Sequence, residues 1–257
     1  MGRSRPEHPH TLFHYAKTGS ARDGPAKFLK GFDGYLQADA HKVYEPIFRS
    51  DFDDIEAVEV ACWAHARRYF INAQDTDIEN SAWALRQIHE LYRVEREAKG
   101  VGSQRLLSVR QEKSIPLLND FEIWLKATQL TVLPKSPIGR GIAYALDNWT
   151  ALNRYTTDGD IRMDNNDTER GLRSVVIGRK NWMFAGSEGG AENAAIMFSF
   201  VESCKRADVD PFEYFKDILV RIAEHPSSEI ERLFPCNWER LVHETGPATI
   251  DSIDGTD

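Results

Sequence analysis

Two short apolar alternations, Tyr35-Leu36-Gln37-Ala38 and Ala57-Val58-Glu59-Val60-Ala61, flank a stretch from His41 to Phe48 that reads as a helix. Strands joined through a helix pair in parallel or mixed fashion, with helices laid over the sheet, so this order places the chain in the α/β class. Upstream, Thr11-Leu12-Phe13-His14-Tyr15 is a third strand candidate. Pro25 opens a short helix whose buried side is Phe28 and Leu29. Residues 1–11, with Pro6 and Pro9, read as irregular, and 12–63 as the sheet segment.

From His65 to Asp158 the apolar spacing becomes helical. Leu85, Ile88 and Leu91 form one stripe. Ser114 reads as the cap of a helix through Pro116, with Leu117, Phe121, Trp124 and Leu125 along one side. Pro134 and Pro137 bracket a turn before Ile142, Leu146, Trp149 and Leu152. These stripes read as core. Gly186, Gly189 and Gly190 precede a helix through Ala194, Phe198 and Val201, but G-x-x-x-x-G-K-[ST] is missing and no nucleotide loop is expected. Asp210 caps the next helix, with Pro211 first inside it and Phe212, Phe215, Leu219 and Ile222 as its apolar side. The stretch 242–257 reads as a flexible tail.

Hydrophobic content of 41% over 257 residues suffices for a core. A formal net charge of -8 argues against indiscriminate coating of polyanions. It leaves room for a local basic strip: between Arg162 and Trp182, five basic residues stand against Asp164, Asp167 and Glu169. Cys62, Cys204 and Cys236 lie far apart, which suits a reducing cytoplasm and not a disulfide scaffold. Cys62 and His65 have the spacing of half a zinc site, without a second pair. No apolar run approaches membrane-spanning length, so a cytoplasmic protein without a membrane partner is expected.

The chemistry-bearing words are Asp164-Asn165-Asn166-Asp167-Thr168-Glu169-Arg170, a polar helix start with acidic residues, and Gly178-Arg179-Lys180-Asn181-Trp182. Asp39 closes the first alternation. A carboxylate at a strand end and another on a distant helix suit a divalent metal acting on phosphates. Together with Gly34-Tyr35-Leu36-Gln37-Ala38-Asp39, Cys62-Trp63-Ala64-His65-Ala66-Arg67-Arg68, Pro134-Lys135-Ser136 and Phe234-Pro235-Cys236-Asn237-Trp238, these words resemble the transposases of the insertion sequence sixty-six family. Cys236 departs from that pattern, where a Trp is usual.

The resemblance implies a DDE-type enzyme of DNA cleavage and strand transfer: a partial ribonuclease H-like core, a large helical insertion over 64–158, and over 159–241 the helix of the third acidic position plus C-terminal helices. It makes Asp39 and Glu169 catalytic ligands of Mg²⁺, with Mn²⁺ as substitute. Arg170, Arg173, Arg179 and Lys180 become DNA contacts. His65 lies near the metal or packs beside the sheet, Asn165 is accessory, and Trp182 reads as core with base stacking as the alternative. The family's first Asp precedes the segment that Leu12 to Tyr15 resembles, and none of Glu7, Asp23 or Asp33 fits it. The expectation is therefore a truncated portion, inactive by itself and holding metal weakly or not at all. Its partners would be transposon-end and target DNA and an N-terminal or intact transposase. The alternatives are a noncatalytic DNA- or transposase-binding remnant and a metal-dependent nuclease.

Overall fold

Strand β1 (Asp33–Gln37) pairs in parallel with β2 (Glu56–Val60), with Tyr35 opposite Val58 and Gln37 opposite Val60. This arrangement belongs to a computed structural model that describes residues 10–39, 42–182 and 185–239. The expected irregular start over 1–9 and the tail over 242–257 lie outside the described residues. Among the described residues the sheet has these two strands. The described residues fall into two units: one runs from His14 to Glu192, the other joins residues 10–13 to those from Asn193 onward.

In the first unit, helix α1 (Pro25–Phe28) precedes β1, and a 3-10 turn, Lys42–Tyr44, leads into α2 (Glu45–Phe48) between the strands. The continuous helix expected from His41 to Phe48 is thus two single turns, and His41 itself lies outside the described residues. Ala26, Ile47 and Ile55 form a small core with Leu29, Leu36 and Ala57. Phe28, expected to be buried, is exposed and lies beside the His14 ring instead. A one-turn helix has room for one inward position, and Ala26 takes it.

The larger core is helical. It is built from α3 (Trp63–Asn72), α4 (Ile78–Glu97), α5 (Ser103–Val109), α6 (Ile115–Gln129), α7 (Pro137–Asp147) and α8 (Trp149–Asn153). Phe121 is its hub: the rings of Trp63, Phe70, Trp83, Trp124 and Trp149 all lie within 6.2 Å of its own. Such offset and edge contacts add to the area that the rings bury. Ser114 does not cap α6. The chain stays helical through it (φ -80°, ψ -37°), because a π-helical segment, Arg110–Ser114, joins α5 to α6. A wider turn at this point accommodates Pro116, which has no N–H for the turn before it.

That segment buries Arg110, 1% exposed. Its Nε and Nη2 donate to the two carboxylate oxygens of Glu95 at 2.8 and 2.7 Å. Its Nη1 donates to the carbonyls of Tyr155, Asp158 and Ile161, and its guanidinium lies over the Tyr155 ring. One side chain thus satisfies three carbonyls of an irregular loop, as buried backbone requires. In the same loop, a Cβ on Gly159 would collide with the Ser103 carbonyl, so the close approach of loop to helix needs glycine.

In the second unit, helix α10 (Glu188–Arg206) contributes its residues from Asn193 on, followed by α11 (Pro211–Arg221). Asp210 caps α11 as expected, accepting from the Glu213 N–H. The buried side of α11 is Tyr214 and Ile218, packed with Cys204 and Leu233. Phe212, Leu219 and Ile222, expected inside, are exposed. The Tyr214 hydroxyl explains the choice, since it donates to the Leu233 carbonyl at 2.7 Å and fixes the helix rotation. The strand expected at Thr11–Tyr15 does not form. The Thr11 and Phe13 N–H groups donate to the Ser203 and Ser199 hydroxyls of α10, so a helix face satisfies them where a strand neighbour was expected.

Arg110→Met leaves Glu95 and three carbonyls without their donor. We expect it to lower stability by about 3–5 kcal/mol in chemical denaturation, with faster amide exchange over residues 155–161. Phe121→Ala should cost about 3–5 kcal/mol by cavity formation. An unchanged denaturation midpoint in either variant would refute the corresponding assignment.

Candidate active site

The residues that resemble a catalytic set lie where β1 and β2 end. β2 runs on through Ala61, whose N–H donates to the Ala151 carbonyl, into Cys62, the extended residue ahead of α3. The stretch before α9 (Asn166–Asn181) is tied to both strand ends. The Gln37 side chain at the end of β1 donates to the Arg162 carbonyl at 2.9 Å. The Trp63 N–H donates to the Met163 carbonyl, and the Asn165 N–H points at Cys62 Sγ, 3.5 Å away. Clefts beyond the carboxyl ends of parallel strands are the usual ligand sites of α/β folds.

The polar helix start is present as expected. Asp164 anchors it: one carboxylate oxygen accepts the Asn166 N–H, and the other accepts the Tyr92 hydroxyl at 2.8 Å. Burial, then the Asp164 charge, pushes the Tyr92 hydroxyl well up, so Tyr92 remains a donor. Glu169 stands in the first turn of α9. His65 Nε2, on α3, is 3.3 Å from Glu169 Oε1. Donation from Nε2 to Glu169 leaves Nδ1 as a buried atom without a hydrogen-bond partner among the described residues. Asn165 Oδ1 is a second such atom. Burial pushes the Cys62 thiol up, against backbone N–H groups that pull it down, and Cys62 stays neutral.

Asp39 is exposed, two residues beyond β1. After burial, its charge is the second cause that raises the Tyr44 hydroxyl, so the two lie in electrostatic contact. The structure therefore brings His65 to Glu169, and Asn165 to Cys62. It does not gather three or more His, Cys, Asp or Glu side chains into a metal-holding group among the described residues. Asp39 and Glu169 are hard oxygen donors. In donor chemistry each suits Mg²⁺, which takes oxygen ligands and commonly keeps phosphate oxygens and water in its shell.

On α9, Asp167 is ion-paired to both Arg162 and Arg170. Exposed pairs of this kind are worth little and do not hold an arginine away from a phosphate. Arg173, Arg179 and Lys180 are exposed further along the helix. Trp182, expected in the core, is 44% exposed. Its indole lies on Gly178, where a Cβ would collide with it, so the ring covers its own helix end. Sequence reasoning passed over Tyr92 and Arg110. The signal for Tyr92 was its place on the α4 stripe with His89 and Arg96 at helical spacing; Arg110 had none, because its partners come from three separate segments.

The sequence model of the Transposase IS66 family matches residues 1–193, and that of the IS66 C-terminal element matches residues 199–236. Three proteins of Sinorhizobium fredii are similar to the chain. "Uncharacterized protein y4hP" is 34% identical over 90% of this chain and 44% of its own length. "Uncharacterized protein y4qI" is 36% identical, with the same coverage of 90% and 44%. "Uncharacterized protein y4jD" is 31% identical over 91% of this chain and 47% of its own length. The chain thus spans less than half the length of these relatives. No solved structure matches it. With three quarters of its length matched and Asp39, His65 and Glu169 set around the strand ends, the chain belongs to the Transposase IS66 family.

Proposed function

We propose that the chain is the catalytic portion of a DDE-type DNA transposase with a ribonuclease H-like core, supplying two of its three carboxylates. The observation that carries this reading is the tie between strand ends and helix start. Gln37 bonds the Arg162 carbonyl, and Glu169, seven residues later, meets His65 from the helix after β2. This tie supports a reading in which two carboxylates far apart in sequence serve the same end of a parallel sheet.

In the proposed reaction water, and then a 3′-hydroxyl, attacks phosphorus in line. A new O–P bond forms as the bond to the leaving 3′-oxygen breaks. A divalent cation, Mg²⁺ or Mn²⁺, when bound supplies Lewis acidity at the phosphoryl oxygens. Asp39 and Glu169 offer it oxygen ligands. His65 restrains Oε1 of Glu169, and Oε2 remains as its second oxygen ligand. Arg170, Arg173, Arg179 and Lys180 grip backbone phosphates and fix the register of the strand.

The partner in this reading is an N-terminal transposase segment that adds strands and the first Asp. Its support is apolar surface: Tyr35 and Val58, register partners in the sheet, are 48% and 40% exposed, and Leu172 and Val176 stand out from α9. A two-stranded sheet is marginal without further cover. A noncatalytic DNA-binding remnant is the second reading.

Two outcomes are expected. Incubated with labelled transposon-end DNA and Mg²⁺ or Mn²⁺, the chain should yield no joined strands without a source of the third carboxylate. Joining that vanishes in Asp39→Ala would overturn this. In a salt series, Arg179→Glu with Lys180→Glu should flatten the log-affinity against log-salt slope for duplex DNA by roughly 1.8, about 0.9 per phosphate contact. A folded double variant with an unchanged slope would remove this stretch from the interface.

A further inference from the structure

Beside the carboxylates lies a second, basic feature that the reading above does not use. One face of α3, with Ala64, Arg67, Arg68 and Ile71, and one face of α4, with His89, Tyr92 and Arg96, wall an open cavity of about 450 Å³. The spacings are helical, so each set shares one side of its helix. Asn166, the first residue of α9, closes the lining.

The arginines of this cavity outnumber the acids beside them. On α4, Glu90 and Glu97 both pair with Arg93, and Glu95 pairs with Arg110. Arg96 sits one residue round the helix from that network and has no ion pair among the described residues; nor have Arg67 and Arg68. Asp164, the nearby acid, already accepts from Tyr92 and Asn166. In a chain of net charge -8, three arginines thus line one concavity against the single charge of the adjacent Asp164. Mutual repulsion makes such a cluster costly unless an anion completes it, and guanidinium suits phosphate through paired N–H donors.

We propose that this cavity is a second DNA-backbone site, in which Arg67, Arg68 and Arg96 hold phosphates of the strand that reaches Glu169. The proposal rests on the transposase reading and adds a site to it. Asn166 and Glu169 are three residues apart on α9, the spacing at which helix side chains are neighbours, so the cavity adjoins the carboxylate. Helix α3 serves both places: His65 holds Glu169 while Arg67 and Arg68 line the cavity. Tyr92 and Ile71 give the walls an apolar part on which a sugar can rest.

The test is the affinity of the whole chain for a labelled duplex over a salt series, read by fluorescence anisotropy. Arg67→Glu with Arg96→Glu should weaken binding at least tenfold and flatten the salt slope by roughly 1.8. Arg67→Lys with Arg96→Lys should keep the slope, since the charges stay. Exposed Arg96→Ala provides a milder variant, with a slope change of roughly 0.9, should the double reversal fail to fold. Unchanged affinity and slope in folded variants would overturn the site; if Arg179→Glu with Lys180→Glu still flattened the slope, the DNA reading itself would stand. Displacement of the duplex by inorganic phosphate at matched ionic strength would reassign the cavity to a free anion. Failure of the unaltered chain to bind any duplex would overturn both readings.

Discussion

The placement of α9 depends on one buried guanidinium. Arg110 is held by both oxygens of Glu95, and it holds in turn the carbonyls of Tyr155, Asp158 and Ile161. The loop so fixed leads within three residues to Asp164, which starts α9 and so places Glu169. A lysine could not take this position, because a point charge on a flexible stem lacks the planar fork that meets a carboxylate and a row of carbonyls together. The ion pair is better understood as a specifier of loop path than as a source of net stability, since burying charge costs about what it returns.

What could be read from the residues, and what could not, divides along the same line. Strands β1 and β2, the Asp210 cap and the acidic start of α9 rest on signals within a few neighbours, and each is present; the order of elements left parallel or mixed pairing, and the two strands pair in parallel. The failures are tertiary. Thr11–Tyr15 has a strand's composition, yet two serine hydroxyls on α10 take its backbone donors. The α11 stripe through Phe212 and Leu219 has a helix's apolar spacing, yet a single hydroxyl bond from Tyr214 turns the neighbouring stripe inward. Ser114 looked like a cap because the π-helical turn that carries the chain past Pro116 has no sequence signature.

The candidate site shows the same division. Asp39 and Glu169 were legible as positions, through resemblance and through their strand-end and helix-start settings. Their surroundings were not: the His65–Glu169 contact joins residues 104 apart in number, and Tyr92–Asp164 joins residues 72 apart. The buried Nδ1 of His65 and Oδ1 of Asn165 are polar atoms whose desolvation is uncompensated among the described residues. Both stand where α3 meets the approach to α9, and Ser81, Ser114 and Asn153 carry other such atoms elsewhere in the fold.

Charge is distributed to the same effect. A net -8 makes the chain as a whole repel DNA, so any affinity must come from places where cations outnumber their partners. On α4 the acids are drawn off by Arg93 and Arg110, which leaves Arg96 uncompensated beside Arg67 and Arg68. On α9 the single Asp167 occupies Arg162 and Arg170, and Arg179 and Lys180 stand exposed one helix-length away. Repulsion elsewhere and attraction at these two places would restrict a strand to one path, along α9 and past Glu169. In the proposed reading, positioning on a polyanion would come from making most of the surface unfavourable, and it would depend on which carboxylates are already occupied more than on how many arginines the chain contains.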